Sequence, residues 1–232
     1  MLNEITPVLG FDGLHRSGKG TQIALLAEDY SLSGRPYRIV RGDGTRKGLG
    51  KTPDDPISQW WQENYSTFFS KNRTSEENKY LSDLVFSRLM HEAQEVRQVL
   101  DNDSEGKGIL FMDRTFISHW FVKRQQDSSI SLEQAIKLTC PENGRTVNIL
   151  IPNISYVFYV PKEELIRRVS ESTDSPEKKE FRLKNISIYF DEFERLIDDI
   201  PSSLNDKKIL ILDGNRLPEE IHREILATSR GI

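Results

Sequence analysis

Phe11-Asp12-Gly13-Leu14-His15-Arg16-Ser17-Gly18-Lys19-Gly20-Thr21-Gln22 is the most informative stretch of this 232-residue chain. Gly13, Gly18 and Lys19 fit the phosphate-binding pattern G-x-x-x-x-G-K. The run 6–11 predicts a buried strand and 22–28 predicts a helix. A glycine turn between them directs backbone N–H groups, the helix dipole and the Lys19 ammonium at one point, which suits the phosphates of a nucleoside triphosphate. The alternative is a chance match in a glycine-rich loop.

The composition indicates a globular chain, with 36% hydrophobic and 29% charged residues. We expect a single α/β domain over residues 1–232. A net charge of −4 gives no basic field that would favour nucleic acid as a partner. The single cysteine, Cys140, excludes an internal disulfide. No signal-peptide pattern or membrane-spanning run is visible, so we expect a cytoplasmic protein with no membrane partner.

Predicted strands and helices alternate along the chain. After the first strand and helix, further strands are predicted at 35–40, 108–113, 155–160 and 208–213. Further helices are predicted at 76–100, 131–138, from 161 onward and at 218–227. This order predicts a three-layer P-loop NTPase fold, in which helices flank a five-stranded parallel sheet. The ligand is expected at the carboxyl ends of the strands.

A second chemical motif ends the strand predicted at 108–113. Four apolar residues lead into Asp113, followed by Arg114. A carboxylate at such a strand end helps to hold Mg²⁺ in P-loop proteins, usually through water. The neighbouring guanidinium can neutralise charge on a phosphoryl group in the transition state. A buried salt bridge between the two residues is the alternative interpretation.

Several segments together resemble the thymidylate kinase family of P-loop nucleotide kinases. The family loop F-E-G-x-D-x-x-G-K-[ST]-T-Q is matched by Phe11, Asp12, Gly13, Gly18, Lys19, Thr21 and Gln22. Its D-R-Y-x-x-S segment aligns with Asp113, Arg114 and Ser118, and its R-x-x-H pair with Arg88 and His91. The similarity follows the family's motif order over roughly residues 8 to 226. It implies a fold of the nucleoside monophosphate kinase type, ATP and Mg²⁺ as donor and cofactor, and a homodimer.

The resemblance also implies roles for individual residues. Phosphoryl transfer would involve Lys19, Arg16, Asp113 and Arg114. ATP would be bound by Gly13, Arg16, Ser17, Gly18, Lys19, Gly20 and Thr21, and Mg²⁺ by Asp113, through water, and Thr21. The acceptor would be bound by Asp12, His15, Arg41, Leu84, Arg88, Arg114 and Ser118. A mobile lid is expected over 170–185, with Arg168 and Arg182 as its phosphate contacts.

Three of these assignments have an alternative interpretation. Arg16 could be an exposed loop arginine, and Arg88 could form a surface ion pair with Glu92. The lid arginines Arg168 and Arg182 could be simply solvent-exposed.

Departures from the family pattern concentrate on the acceptor side. His15 replaces an aspartate, Leu84 a phenylalanine and Thr115 an aromatic residue, while Gly20 stands where a metal-binding Ser or Thr is usual. The sequence therefore predicts a kinase that phosphorylates a nucleoside monophosphate, most simply dTMP to dTDP. One alternative is a kinase of the same fold acting on a modified deoxynucleotide or another small phosphorylated metabolite. The second is a nucleotide-binding module without turnover.

Overall fold

The computed structural model describes residues 6–41, 76, 83, 86, 89–90, 93–95, 97–98, 101–102, 108–125, 127–139, 144 and 146–230. The strands are β1 (Val8–Gly13), β2 (Tyr37–Arg41), β3 (Ile109–Asp113), β4 (Lys137–Thr139), β5 (Thr146–Asn148), β6 (Ile154–Tyr159), β7 (Ser203–Leu204) and β8 (Lys207–Asp213). The helices are α1 (Lys19–Leu32), α2 (Phe116–Arg124), α3 (Leu132–Ala135), α4 (Lys162–Ser170), α5 (Pro176–Asp199) and α6 (Pro218–Thr228). The described residues between 76 and 98, and Asp101, are also helical.

The five predicted strands form one parallel sheet. Its order is β2-β3-β1-β6-β8, and a short sixth strand, β7, pairs antiparallel at the β8 edge. Phe11 of β1 pairs in register with Asp113 of β3 on one side and with Tyr156 of β6 on the other. Because the five strands are parallel, their carboxyl ends meet at one edge. The predicted fold class is confirmed, with one strand more than expected.

Side chains alternate between the two faces of the sheet, as strand geometry requires. One face presents Leu9, Phe11 and Tyr156 to α1 and α6, whose buried residues include Ile23 and Ile225. On the other face, one cluster joins the sheet to helical residues, and a second joins it to α2 and α5. The helical residues of the first cluster are Phe86, Leu89, Met90 and Ala93. The sheet is thus covered by helices on both sides, which makes the predicted three layers.

The predicted helix at 131–138 is wrong in its second half. Ser131 caps α3 through a capping box with Gln134, as the sequence indicates. The helix nevertheless ends at Ala135, whose carbonyl oxygen lies 2.8 Å from Nδ1 of His119. The chain then pairs as β4 with β5 in a separate two-stranded antiparallel sheet. Pairing between strands therefore overrides the local helical pattern.

Three further elements were not expected from the sequence. β7 turns into β8 through Asn205 and Asp206, which both have positive φ, as a two-residue hairpin requires. α2 begins at the N-cap Thr115, whose side chain accepts a hydrogen bond from the backbone N–H of Ile117. Pro176, expected to break the segment 170–185, opens the 24-residue helix α5 instead.

The first prediction concerns the close packing of β1. A Cβ on Gly10 would lie 2.5 Å from Cγ2 of Thr115 and 2.7 Å from Cγ of Pro152. Gly10→Ala is therefore expected to destabilise the protein by about 1–3 kcal/mol, measured by urea unfolding. Gly20→Ala is the matched control: a Cβ there meets nothing within 4 Å. In helix α1 that change should raise stability by up to about 1 kcal/mol. Equal unfolding midpoints for wild type and Gly10→Ala would contradict the packing.

Candidate active site

The glycine loop lies between β1 and α1, as predicted, at the carboxyl edge of the sheet. Gly13 and Gly18 have φ of 137° and 101°, in the region that favours glycine. A Cβ on Gly13 would also lie 2.7 Å from the carbonyl oxygen of Phe158 on the neighbouring strand. Neither residue can therefore be replaced without strain. Both glycines of the motif are thus explained by backbone geometry.

Lys19 is the central cation of the site and is buried, with 7% of its surface exposed. Its Nζ donates hydrogen bonds to the carbonyl oxygens of Gly13, at 2.8 Å, and Leu14, at 3.0 Å. Burial, helped by the nearby Arg114, lowers the pKa of Lys19 from 10.5 to about 8, while the charges of Asp113 and Asp12 oppose this shift. An anion placed here would favour the charged ammonium, so the site suits phosphate oxygens.

His15 lies within a group of cationic side chains. His15 is an exposed residue of the loop, and surrounding protein atoms partly desolvate its imidazole. Burial in this environment lowers the pKa of His15 well below its usual value, and the four surrounding cations add to the shift. These cations are Arg114, Lys19, Arg182 and Arg16. His15 is therefore neutral at pH 7 and offers a hydrogen bond rather than a charge.

Arg16 and Arg114 have a backbone conformation that L residues rarely adopt. Their φ angles are 65° and 82°. Such residues cost on the order of 1–3 kcal/mol and persist where the surrounding structure holds them. The N–H of Arg114 donates to the carbonyl oxygen of Phe11 at 2.9 Å, which fixes the turn after β3. Two strained arginines at one edge of the sheet support a functional role for that edge.

Asp12 is held by the start of α2. Its carboxylate accepts hydrogen bonds from the backbone N–H and the hydroxyl of Thr115, at 2.9 and 2.5 Å. It also accepts from the N–H and the hydroxyl of Ser118, at 3.1 and 2.6 Å. Asp12 and Ser118 are 1% and 5% exposed. These two predicted acceptor residues therefore anchor α2 to β1, close behind Arg114.

The predicted lid arginines have different partners. Arg168 donates to the carbonyl oxygens of Arg16, at 3.2 Å, and Gly214, at 2.9 Å, so it ties α4 to the glycine loop. Arg182 of α5 and Arg16 of the loop both pair with the carboxylate of Asp174. Neither lid arginine is simply solvent-exposed. Asp174 was missed by the sequence reasoning, since one acid in a charge-rich segment carries no distinctive signal.

The remaining predicted site residues divide into three groups. Ser17 is buried in the loop, and Gly20 and Thr21 are exposed on the first turn of α1. Asp113 ends β3, and the backbone of Arg41 pairs with it in register at the end of β2. Leu84 and Arg88, with His91, lie outside the described residues, as does the side chain of Arg41. The structure thus brings together the phosphate-side residues and part of the acceptor side, whose roles stay predictions.

The fold of this chain is similar to that of solved protein structures, although comparisons by sequence find no match. No protein-family model matches the sequence, and a search of curated proteins finds no match. Among solved structures, thymidylate kinase from Candida albicans is 15% identical, with a TM-score of 0.56, over 97% of this chain and 91% of that chain. Thymidylate kinase from Ehrlichia chaffeensis is also 15% identical, with a TM-score of 0.57, over 97% and 99%.

The site and the similar structures together define the fold. The glycine loop at the edge of a helix-covered parallel sheet defines a P-loop fold. The match over nearly the whole chain shows more narrowly that this fold is the thymidylate kinase-like one. No helix in the described ranges is long and apolar enough to cross a membrane.

The second prediction is a pH dependence of ATP affinity. Bound phosphates favour the charged form of Lys19, so ATP binding takes up a proton above the free pKa of about 8. The dissociation constant should be nearly constant from about pH 7 to 7.5 and then rise toward tenfold per pH unit. The phosphates themselves ionise near pH 6, below this range. Calorimetry in buffers of different ionisation enthalpy measures both affinity and proton uptake.

Lys19→Arg is the matched control, because a guanidinium does not titrate in this range. Its ATP affinity should be weaker but independent of pH. A wild-type dissociation constant that stays flat to about pH 9.5 would contradict the buried, perturbed ammonium.

Proposed function

We propose that this protein transfers the γ-phosphoryl group of ATP to a nucleoside monophosphate, most simply converting dTMP to dTDP. The observation that carries the proposal is the convergence of Lys19, Arg16 and Arg114 at the carboxyl edge of the sheet, around a glycine loop that opens a helix. A phosphoryl group in transfer carries spread negative charge, and catalysis consists largely of positioning and neutralising that charge. The thymidylate kinase-like fold supports the same reaction class.

The donor half of the site would bind ATP through the glycine loop. Backbone N–H groups of the glycine loop and the start of α1 would bind the β- and γ-phosphates. Lys19 can exchange its bonds to the carbonyl oxygens of Gly13 and Leu14 for phosphate oxygens. That exchange removes the cost of burying an ammonium against neutral groups. Arg16 and Arg114 would then act on the transferred group from two sides of the loop.

Magnesium would reach the site with the ATP phosphates. Among the described residues, no group of three His, Cys, Asp or Glu side chains could hold a metal ion by itself. Asp113 lies close enough to Lys19 for its charge to raise the pKa of Lys19, and Thr21 is exposed on α1. One carboxylate and one hydroxyl fit an ion that keeps phosphates and waters as its other ligands, as Mg²⁺ does. Mg²⁺ bound there would neutralise phosphate charge.

The acceptor phosphate would lie beside Arg114, with the sugar toward His15. An acceptor that is already an anionic phosphate needs no strong general base. The residues of this chain would therefore orient two phosphates in line and keep water away from them. Arg41, Leu84 and Arg88 complete the proposed acceptor site by the resemblance alone.

A second candidate acceptor is a modified deoxynucleotide or another small phosphorylated metabolite. The observation that favours it is His15, a neutral imidazole surrounded by cations where thymidylate kinases resembling this chain carry an aspartate. A neutral group close to four positive charges would tolerate an acceptor with an additional anionic or strongly polar substituent. A non-catalytic nucleotide-binding module fits less well, because it requires no arginines beside the phosphate loop.

The third prediction tests the reaction with a panel of acceptors. Excess ATP and Mg²⁺ are supplied with each natural and modified nucleoside monophosphate, and ADP release is followed by a coupled assay. Turnover with dTMP above its neighbours is the expected result, and turnover with a modified nucleotide alone selects the second candidate. Lys19→Ala should lower kcat/KM by roughly a hundredfold or more, because it removes the cation on the phosphates.

Lys208→Ala is the control for that variant. Lys208 is exposed near the amino end of β8, away from the site, so its kcat/KM should match that of the wild type. ADP release that depends on no acceptor, or full activity in Lys19→Ala, would overturn the proposed function.

A further inference from the structure

Asp174 joins the glycine loop to the start of α5. It lies in the connection Glu171–Ser175 between α4 and α5. Its Oδ2 accepts hydrogen bonds from Nη2 of Arg16 and Nη1 of Arg182, and the hydroxyl oxygen of Ser172 lies 3.0 Å away. Arg16 and Asp174 are 158 residues apart in the sequence. One carboxylate oxygen thus links the phosphate loop to a helix that is remote in the chain.

The connection that carries Asp174 is itself well ordered by hydrogen bonds. The hydroxyl of Ser172 donates to the carbonyl oxygen of Val169 at 2.7 Å. Ser175 caps α5 by accepting from the N–H of Lys178. The Asp174 side chain is only 15% exposed. The carboxylate therefore has a fixed position rather than that of a side chain on a loose loop.

Arg168 makes a second contact with residue 16, in addition to that of Asp174. Arg168 of α4 donates to the backbone carbonyl oxygen of Arg16 at 3.2 Å, while its Nε is held by Glu164 at 2.7 Å. Residue 16 is thus tied by its backbone to α4 and by its side chain to Asp174. The backbone contact fixes where the loop lies, whereas the carboxylate fixes where the guanidinium of Arg16 points.

The positive charges of Arg16 and Arg182 explain why a carboxylate lies between them. Arg16 and Arg182 would repel each other if they lay side by side. Lys19 and Arg114 are also close enough to His15 for their charges to lower its pKa. The Arg16 guanidinium holds the pKa of the Asp174 carboxyl below its usual value, so Asp174 stays ionised at neutral pH. Its negative charge offsets the repulsion between the two guanidinium groups. Two arginines can then occupy one side of the phosphate site.

We propose that Asp174 is a positioning residue that holds Arg16 and Arg182 together at the phosphoryl group, so that the glycine loop and α5 present them as one unit. The inference rests on the proposed kinase function, which it extends to a residue outside the phosphate loop. Asp174 does not contact the reacting atoms. It acts by ordering two arginines before the phosphates arrive, which reduces the entropy cost of assembling the site.

A carboxylate in this position could instead slow phosphoryl transfer, and its removal would then have the opposite effect on kcat. A carboxylate near bound phosphates repels them, so an Asp174 that only competed with phosphate would slow the enzyme. Its removal would then raise kcat/KM. A positioning role predicts that removal lowers kcat while ATP binding is unchanged or tighter. The direction of the change in kcat therefore separates the two.

The fourth prediction uses Asp174→Asn and Asp174→Ala, with Glu171→Gln as the matched control. Glu171 lies in the same connection, and its carboxylate pairs with the exposed Arg167. Glu171→Gln therefore removes the same charge without changing a partner of Arg16. Asp174→Ala should lower kcat by about tenfold or more, Asp174→Asn by less, and the KM for ATP should stay within about threefold or fall. Glu171→Gln should resemble the wild type.

A double-mutant cycle separates positioning from general damage. In an Arg16→Gln, Arg182→Gln background, Asp174→Asn should change kcat by less than about twofold, because no guanidinium remains to be positioned. Thermal unfolding of each variant shows whether the fold is intact, and Asp174→Asn serves if Asp174→Ala unfolds. An undiminished kcat in both Asp174 variants, or an equal loss in the cycle background, would overturn the proposal.

A measurement independent of turnover completes the test. Hydrogen exchange is followed in the segments 13–19 and 171–182 of the full chain. Asp174→Asn should lose protection in both segments, whereas Glu171→Gln should lose it in neither. Unchanged exchange at 13–19 in Asp174→Asn would show that the loop is not coupled to α5. If the wild type transfers no phosphoryl group, the proposed function fails while this exchange result still decides whether Asp174 couples the two elements.

Discussion

The ammonium of Lys19 is held under the loop that carries it, bonded to the carbonyl oxygens of Gly13 and Leu14. Burying this cation is costly, and the burial lowers the pKa of Lys19 to about 8 although the charges of Asp113 and Asp12 oppose the shift. Phosphate oxygens bound at the ammonium would offset that cost. The loop can wrap the ammonium because Gly13 and Gly18 adopt φ angles that other residues avoid.

The parallel sheet brings the other charged groups of the site next to the glycine loop. β1 and β3 are parallel neighbours, so Asp113 and Arg114 end next to the start of the glycine loop. Asp12, buried behind the loop, accepts hydrogen bonds from Thr115 and Ser118 and so fixes the start of α2. Arg114 is thereby held between two anchored segments in a strained conformation. The strain is tolerated because both flanks are fixed by buried hydrogen bonds.

Local sequence signals predict the central fold well and the distant contacts poorly. The five parallel strands follow from apolar runs, and the phosphate loop follows from the spacing of Gly13, Gly18 and Lys19. α2 is harder to predict from the sequence, because its start is held by Asp12, which lies 103 residues away from Thr115. The pairing of Arg16 with Asp174 spans a still longer separation and leaves no pattern in either segment. Contacts between remote charged residues therefore require the structure.

The proposed kinase passes a phosphoryl group to a second phosphate rather than to water. Single-turnover transfer from ATP labelled in the γ-phosphate tests it most directly, with the enzyme in excess and the products separated. The label is expected in a nucleoside diphosphate, with little released as inorganic phosphate. Label found only in inorganic phosphate, whichever acceptor is present, would contradict it.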